Sequence, residues 1–173
     1  MQRNFGKYDV PPTLQTLIDL EKELGEHEHF FDGLHFYLAL TDFRYFNTPS
    51  DVIVFGNTGA DGIHYGFLTD YGSVSDLEEA PIVCVCPMDF EQPTRIIAKN
   101  LREFLRINCT DELLFYNDFA NEDSYLAFKR EQELDNALHP LSELQSSNQV
   151  RIKKFLEENI QMPIIDNPYR YMQ

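Results

Sequence analysis

Residues 51–72 read "DVIVFGNTGADGIHYGFLTDYG". Two apolar, β-branched runs flank Asn57-Thr58-Gly59-Ala60-Asp61-Gly62. Asn, Asp and Gly accept positive φ or bind their own backbone, so the six residues predict a turn and the flanks predict a hairpin. A longer acidic loop, "YGSVSDLEEAP" (71–81), leads to a third apolar run, "IVCVCPM" (82–88). Residues 51–88 therefore predict an antiparallel meander. Upstream, "LHFYLALT" (34–41) alternates large apolar and other side chains with period two and predicts a further strand.

The same glycine-rich turn invites three chemical readings, and each lacks a required group. A calcium loop beginning at Asn57 needs a carboxylate at its twelfth position, which is Leu68. A phosphate loop needs a lysine and a following helix, and neither is predicted here. An aspartic-protease reading of "NTG" needs an acid where Asn57 stands. Elsewhere, His27-Glu28-His29 separates its histidines by two residues, and one helix face needs four. Cys84 and Cys86 point to one side of a strand and read as small core residues. His64 with Asp61 is half of an acid–base pair at best, and a small hydrolase is the weakest of the readings. The sequence thus predicts no catalytic residue, cofactor site or metal site.

Around the meander the period changes. Pro11-Pro12 ends an irregular leader. Thr13 is placed to cap a helix carrying Leu14, Leu17, Ile18 and Leu24 on one stripe, with Gly25 as its stop. "EHEHFFDG" (26–33) reads as a polar loop and "FRYFNTPS" (43–50) as a turn. "TRIIAKNLREFLRIN" (94–108), capped by Thr94, reads as one amphipathic helix. A further helix is expected to start at Thr110. Two more are expected over 121–138 and 146–160, and a loose tail over 164–173. One helix, then strands, then helices predicts a single α+β domain of 173 residues, with an antiparallel sheet and helices packed on it.

Charge narrows the partners. The net charge is −15. Residues 1–93 carry 16 acidic and 4 basic side chains, whereas residues 94–173 carry 13 and 10. No Lys or Arg lies between Arg44 and Arg95, a window holding Asp51, Asp61, Asp70, Asp76, Glu78, Glu79, Asp89 and Glu91. Such a surface repels nucleic acid and anionic membranes and attracts a basic protein. Three cysteines, no apolar signal core and no long apolar run lead to the expectation of a cytoplasmic protein with reduced thiols. Nothing in the sequence fixes an oligomeric state.

The order of elements resembles the SUKH superfamily, which includes fungal cell-wall synthesis regulator-like proteins and bacterial toxin-immunity proteins. The stretches that carry the resemblance are "LIDLEKELG" (17–25), "VIVFGNTGADGIHYGFLTD" (52–70), "APIVCVCPMD" (80–89) and "IAKNLREFL" (97–105). They span a core motif of residues 13–107, and the helices over 110–162 lie outside it. The chain lacks the tryptophan and the "LP-x-x-Y" segment common in the family. The resemblance implies a non-catalytic, SUKH-like immunity protein that neutralises a toxin domain, often a nuclease, by binding it. The alternative is a regulatory or scaffold adaptor with an endogenous partner. The expected partner-binding residues are Asp61, Tyr65, Asp70, Tyr71, Asp76, Glu78 and Glu79. In this reading the tyrosines supply contact area and the acids steer a basic partner.

Overall fold

The computed structural model describes residues 4–41, 43–115 and 117–173. The first three residues of the leader, and Tyr116 in the stretch expected to continue as a helix after Thr110, lie outside them. The fold is α+β, as the order of elements predicted. β1 (Tyr37–Leu38), β2 (Val52–Asn57), β3 (His64–Leu68), β4 (Ile82–Val85) and β5 (Thr94–Ala98) form one antiparallel meander in the order 1-2-3-4-5. Two helices precede β1, α1 (Pro12–Leu24) and α2 (His27–Leu34). After β5 come α3 (Leu101–Thr110), α4 (Glu122–Leu138), α5 (Glu143–Asn159) and the short α6 (Pro168–Tyr171).

The quoted hairpin forms as its residues dictate. Asn57 Oδ1 accepts from the Gly59 amide at 2.9 Å, and the Thr58 amide donates to Ile63 O at 3.0 Å. Gly59, Asp61 and Gly62 all take positive φ. One face of the sheet builds the main core. Phe55, Tyr65 and Phe67 meet Phe36, Phe104 and Phe115 in a continuous aromatic cluster, with ring centroids between 4.8 and 6.5 Å apart. The other face carries a small cluster of Ala39, Val52, Val54, Val83 and Val85.

Several expectations are corrected. Residues 27–34 are a helix, not a polar loop. Asp32-Gly33 resembles a turn signal, but Gly33 serves a close helix contact, because a Cβ there would lie 2.6 Å from Ile152 Cδ1 of α5. Helix α2 consumes Leu34, and His35 turns the chain at φ 55, so the first strand shrinks to two residues. Residues 94–108 are a strand and then a helix. Asn100, not Thr94, is the cap, and its side chain accepts from the Glu103 amide at 3.0 Å. The β-branched Ile96-Ile97 pair favours the strand, and Asn100 breaks the apparent helical stripe. Thr13 does not cap α1 either, since Pro11 stands at that position. Residues 112–115 make only a single 3-10 turn. Helix α5 begins earlier than expected because Ser142 and Gln145 close a capping box.

The tail is held. Tyr169 stacks on Tyr125 with centroids 5.2 Å apart, Arg170 Nη2 pairs with Glu122 at 2.9 Å, and the Tyr171 hydroxyl donates to Glu103. Helix α5 is fixed to the N-terminal helices by Asn148 Nδ2 on Asp32 at 2.8 Å and by Arg151 on Glu23 at 2.7 Å.

Candidate binding face

A strap crosses the second face of the sheet on its way from β1 to β2. Phe43 packs against the small valine cluster. Arg44 Nη1 donates to Val52 O at 3.0 Å and Nη2 to Pro49 O at 2.7 Å. His64, buried at the head of β3, fastens the strap. Its Nδ1 lies 2.7 Å from Gly62 O and its Nε2 lies 3.0 Å from Thr48 Oγ1. The carbonyl must accept, so we assign Nδ1 the proton and Nε2 the lone pair that takes the Thr48 hydroxyl. The ring stacks on Tyr45 with centroids 5.9 Å apart. Burial pushes the His64 pKa down, the Gly62 contact opposes this, and the Arg44 charge adds to it. Both nitrogens of this neutral ring are committed, so it has none to offer a substrate.

The seven expected contact residues do not form one patch. Asp61 is exposed at the β2–β3 turn. Asp70, Tyr71, Asp76 and Glu79 are exposed in the β3–β4 connection. The five residues of β3 separate these two places by roughly 17 Å. Within the connection, Asp76 caps a single turn by accepting from the Glu78 amide at 2.9 Å. Glu78 accepts from the Thr13 amide at 3.1 Å, and Glu79 pairs with Arg102 at 2.6 Å. These two acids help hold α1 and α3 to the sheet. Tyr65 is corrected outright. At 1% exposure it lies in the aromatic core, and its buried hydroxyl has no hydrogen-bond partner. Burying a ring contributes about 2 kcal/mol, comparable to the 1–3 kcal/mol that an unpaired hydroxyl costs, so the ring tolerates the orphan.

The sequence reading missed three exposed apolar side chains on loops at the Asp61 end. Phe46 is 87% exposed, Phe90 78% and Met88 69%. Asn47 joins the two loops that bear them, its Nδ2 donating to Pro87 O at 3.1 Å. The loop from Met88 to Gln92 is preformed. Asp89 Oδ1 accepts from the Gln92 amide at 3.0 Å and the Glu91 amide at 3.2 Å, and its Oδ2 pairs with Arg95 at 2.8 Å. The Gln92 amide chiefly, with the Glu91 amide and Arg95, holds the Asp89 carboxyl below its usual range. Ile96, also exposed, faces the same side of the sheet as Val83, its partner on β4. Three large apolar side chains are therefore displayed on braced loops, with Asp89 and Glu91 on one of those loops and Asp61 in the neighbouring β2–β3 turn. The legible signal was Met88-x-Phe90 between two prolines in a polar loop, apolar side chains with no core to enter.

On the helical side, β5 borders a cleft of about 550 Å³ that includes Arg95, Asp118, Phe119 and Tyr169. Arg95 is already paired there with Asp118 at 3.3 Å. Among the described residues no three His, Cys, Asp or Glu side chains converge in a metal-binding group, and no helix is long and apolar enough to cross a membrane. Comparison with protein-family models, with curated proteins and with solved structures found no match.

Proposed function

We propose that this chain is a non-catalytic binding protein of SUKH type, an immunity protein that occludes a basic toxin domain, of which a nuclease is the leading kind. One observation carries the reading: Phe46, Met88 and Phe90 stand in solvent on two cross-braced loops, inside the window that holds no Lys or Arg. Exposed aromatic and methionine side chains with acids on the same loop and the neighbouring turn supply the apolar centre and charged rim of a protein interface. A nuclease surface is basic because its substrate is anionic, so an acidic rim complements it. Asp61 belongs to this face, whereas Asp70, Tyr71, Asp76 and Glu79 lie at the far end of β3.

The test is co-expression with the toxin encoded beside the gene. The chain should restore growth, and the Phe46→Ala/Phe90→Ala variant, folded by circular dichroism, should not. Equal protection by the variant removes this face from the mechanism. A neighbourhood with no toxin gene favours the adaptor alternative.

A further inference from the structure

We propose that Cys84 and Cys86 form a redox-active dithiol that is oxidised by a low-molecular-weight disulfide of the glutathione class. The two sulfurs lie 3.7 Å apart on the core side of the sheet, and Arg95 of β5 stands opposite Cys84. The two thiols are not equivalent. Cys84 is buried in β4, whereas Cys86 is half-buried and begins the loop to β5. The two sulfurs share one hydrogen bond, which lowers the Cys86 pKa and raises that of Cys84 well above the ordinary thiol value. Burial works against the Cys86 thiolate. Arg95 favours it, and Asp89 and Asp118, which pair with Arg95, oppose it. Cys109 provides an internal contrast, because burial pushes its thiol up to about 11.

The chemistry closes in two exchanges. The Cys86 thiolate attacks one sulfur of oxidised glutathione, the glutathione S–S bond breaks, and one glutathione departs. Cys84 then attacks Cys86 Sγ, the mixed disulfide breaks, and the second glutathione leaves. Two electrons pass to the oxidant, and the two thiol protons end on two glutathione molecules. Extended residues two apart place their Cα atoms about 6.5–7 Å apart, at the upper limit of what a disulfide spans. Cys86 must therefore move toward Cys84. It lies just beyond the end of β4, held by its amide on Pro93 O at 2.7 Å and by the Asp89 amide on its carbonyl at 3.0 Å. A bond closed against such geometry is easily reduced again, which suits a reversible site. Its closure pulls on the loop that carries Met88 and Phe90.

Intact-mass measurement after incubation with oxidised glutathione tests the proposal independently of any toxin. The wild-type chain should lose two hydrogens, retain no glutathione, and recover with dithiothreitol. Cys84→Ala should keep one glutathionyl group on Cys86, and Cys86→Ser should show neither product. Cys86 should also be alkylated at least about tenfold faster than Cys109. Wild-type thiols that stay unmodified, or a glutathionyl group retained on wild-type Cys86, overturn the proposal. If Cys84→Ala does not fold, the wild-type product and Cys86→Ser decide it.

Discussion

The two ends of β3 carry acids for opposite purposes. At the β3–β4 end the charges are put to use within the fold: Glu78 accepts from Thr13, Glu79 holds Arg102, Asp76 caps its own turn, and Asp70 accepts from the Ser73 hydroxyl at 2.5 Å. At the β2–β3 end Asp61 and Glu91 accompany apolar side chains that stand largely in solvent. Acidity alone does not separate these ends. What separates them is whether a charge is already answered by a neighbour and how much hydrophobic area beside it is left uncovered, Tyr71 alone at the β3–β4 end against Phe46, Met88 and Phe90 at the other. An interface needs the second condition, because rim charges steer encounter while buried apolar anchors supply affinity.

The largest effect that probes this difference is loss of the anchors. Phe46→Ala with Phe90→Ala should weaken partner binding by about 4 kcal/mol, near a thousandfold. Both rings are solvent-exposed, so unfolding free energy should change by less than about 0.5 kcal/mol. Titration calorimetry and urea denaturation on one preparation separate the two. A large stability loss would place the rings in packing and merge the two ends into one structural class. Charge reversal gives a smaller effect and a direct contrast. Asp61→Lys with Glu91→Lys should slow association up to about tenfold at low salt, and Asp70→Lys should change it little. Equal slowing by both sets in stopped-flow would mean that the whole acidic surface steers the partner and the ends are equivalent.

How far the sequence revealed this can be traced residue by residue. The hairpin was legible because Asn57, Gly59, Asp61 and Gly62 carry local turn chemistry that no distant contact overrides. The stretch at 94–108 was not, because Ile97, Leu101, Phe104 and Leu105 fit a helical stripe equally well. Only pairing with β4 decides that the first five residues are a strand, and pairing is non-local. Gly33 misled for the same reason, since its purpose is the approach of Ile152 from a helix more than a hundred residues away. Tyr65 was assigned to a surface because a tyrosine beside a turn suits an interface. Its true position follows from register, which puts it opposite Cys84 on the core face. Phe46, Met88 and Phe90 are hard to read as an interface from sequence because each sits alone among the polar residues of a loop.

Tyr65 offers a smaller and cleaner discrimination. Its hydroxyl is buried without a partner, so Tyr65→Phe should raise stability by about 1 kcal/mol and leave binding unchanged. Urea midpoints and binding titrations read both quantities. A loss of affinity with stability unchanged would return Tyr65 to the interface and undo the separation of core from face.

The smallest effect concerns the fastening of the strap, and it depends on pH. Burial keeps the His64 pKa in the folded chain below its ordinary 6.5. The unfolded chain therefore binds the proton first as pH falls. Its contribution to stability is complete above about pH 6.5 and is lost on acidification below that value. His27 works in the opposite sense, because Glu21 raises its pKa, but that pair is exposed and salt screens it. The two are separated by variant. Between pH 7 and pH 5 the wild-type chain should lose stability that His64→Asn does not lose, in high salt as in low. Because His64 holds Thr48 and stacks on Tyr45, the same acidification should loosen the strap that presents Phe46. Hydrogen exchange at residues 43–50 should rise while that of the β3–β4 connection stays constant. A uniform rise at both ends would show that acid weakens the domain as a whole, and that the exposed anchors rest on no separate fastening.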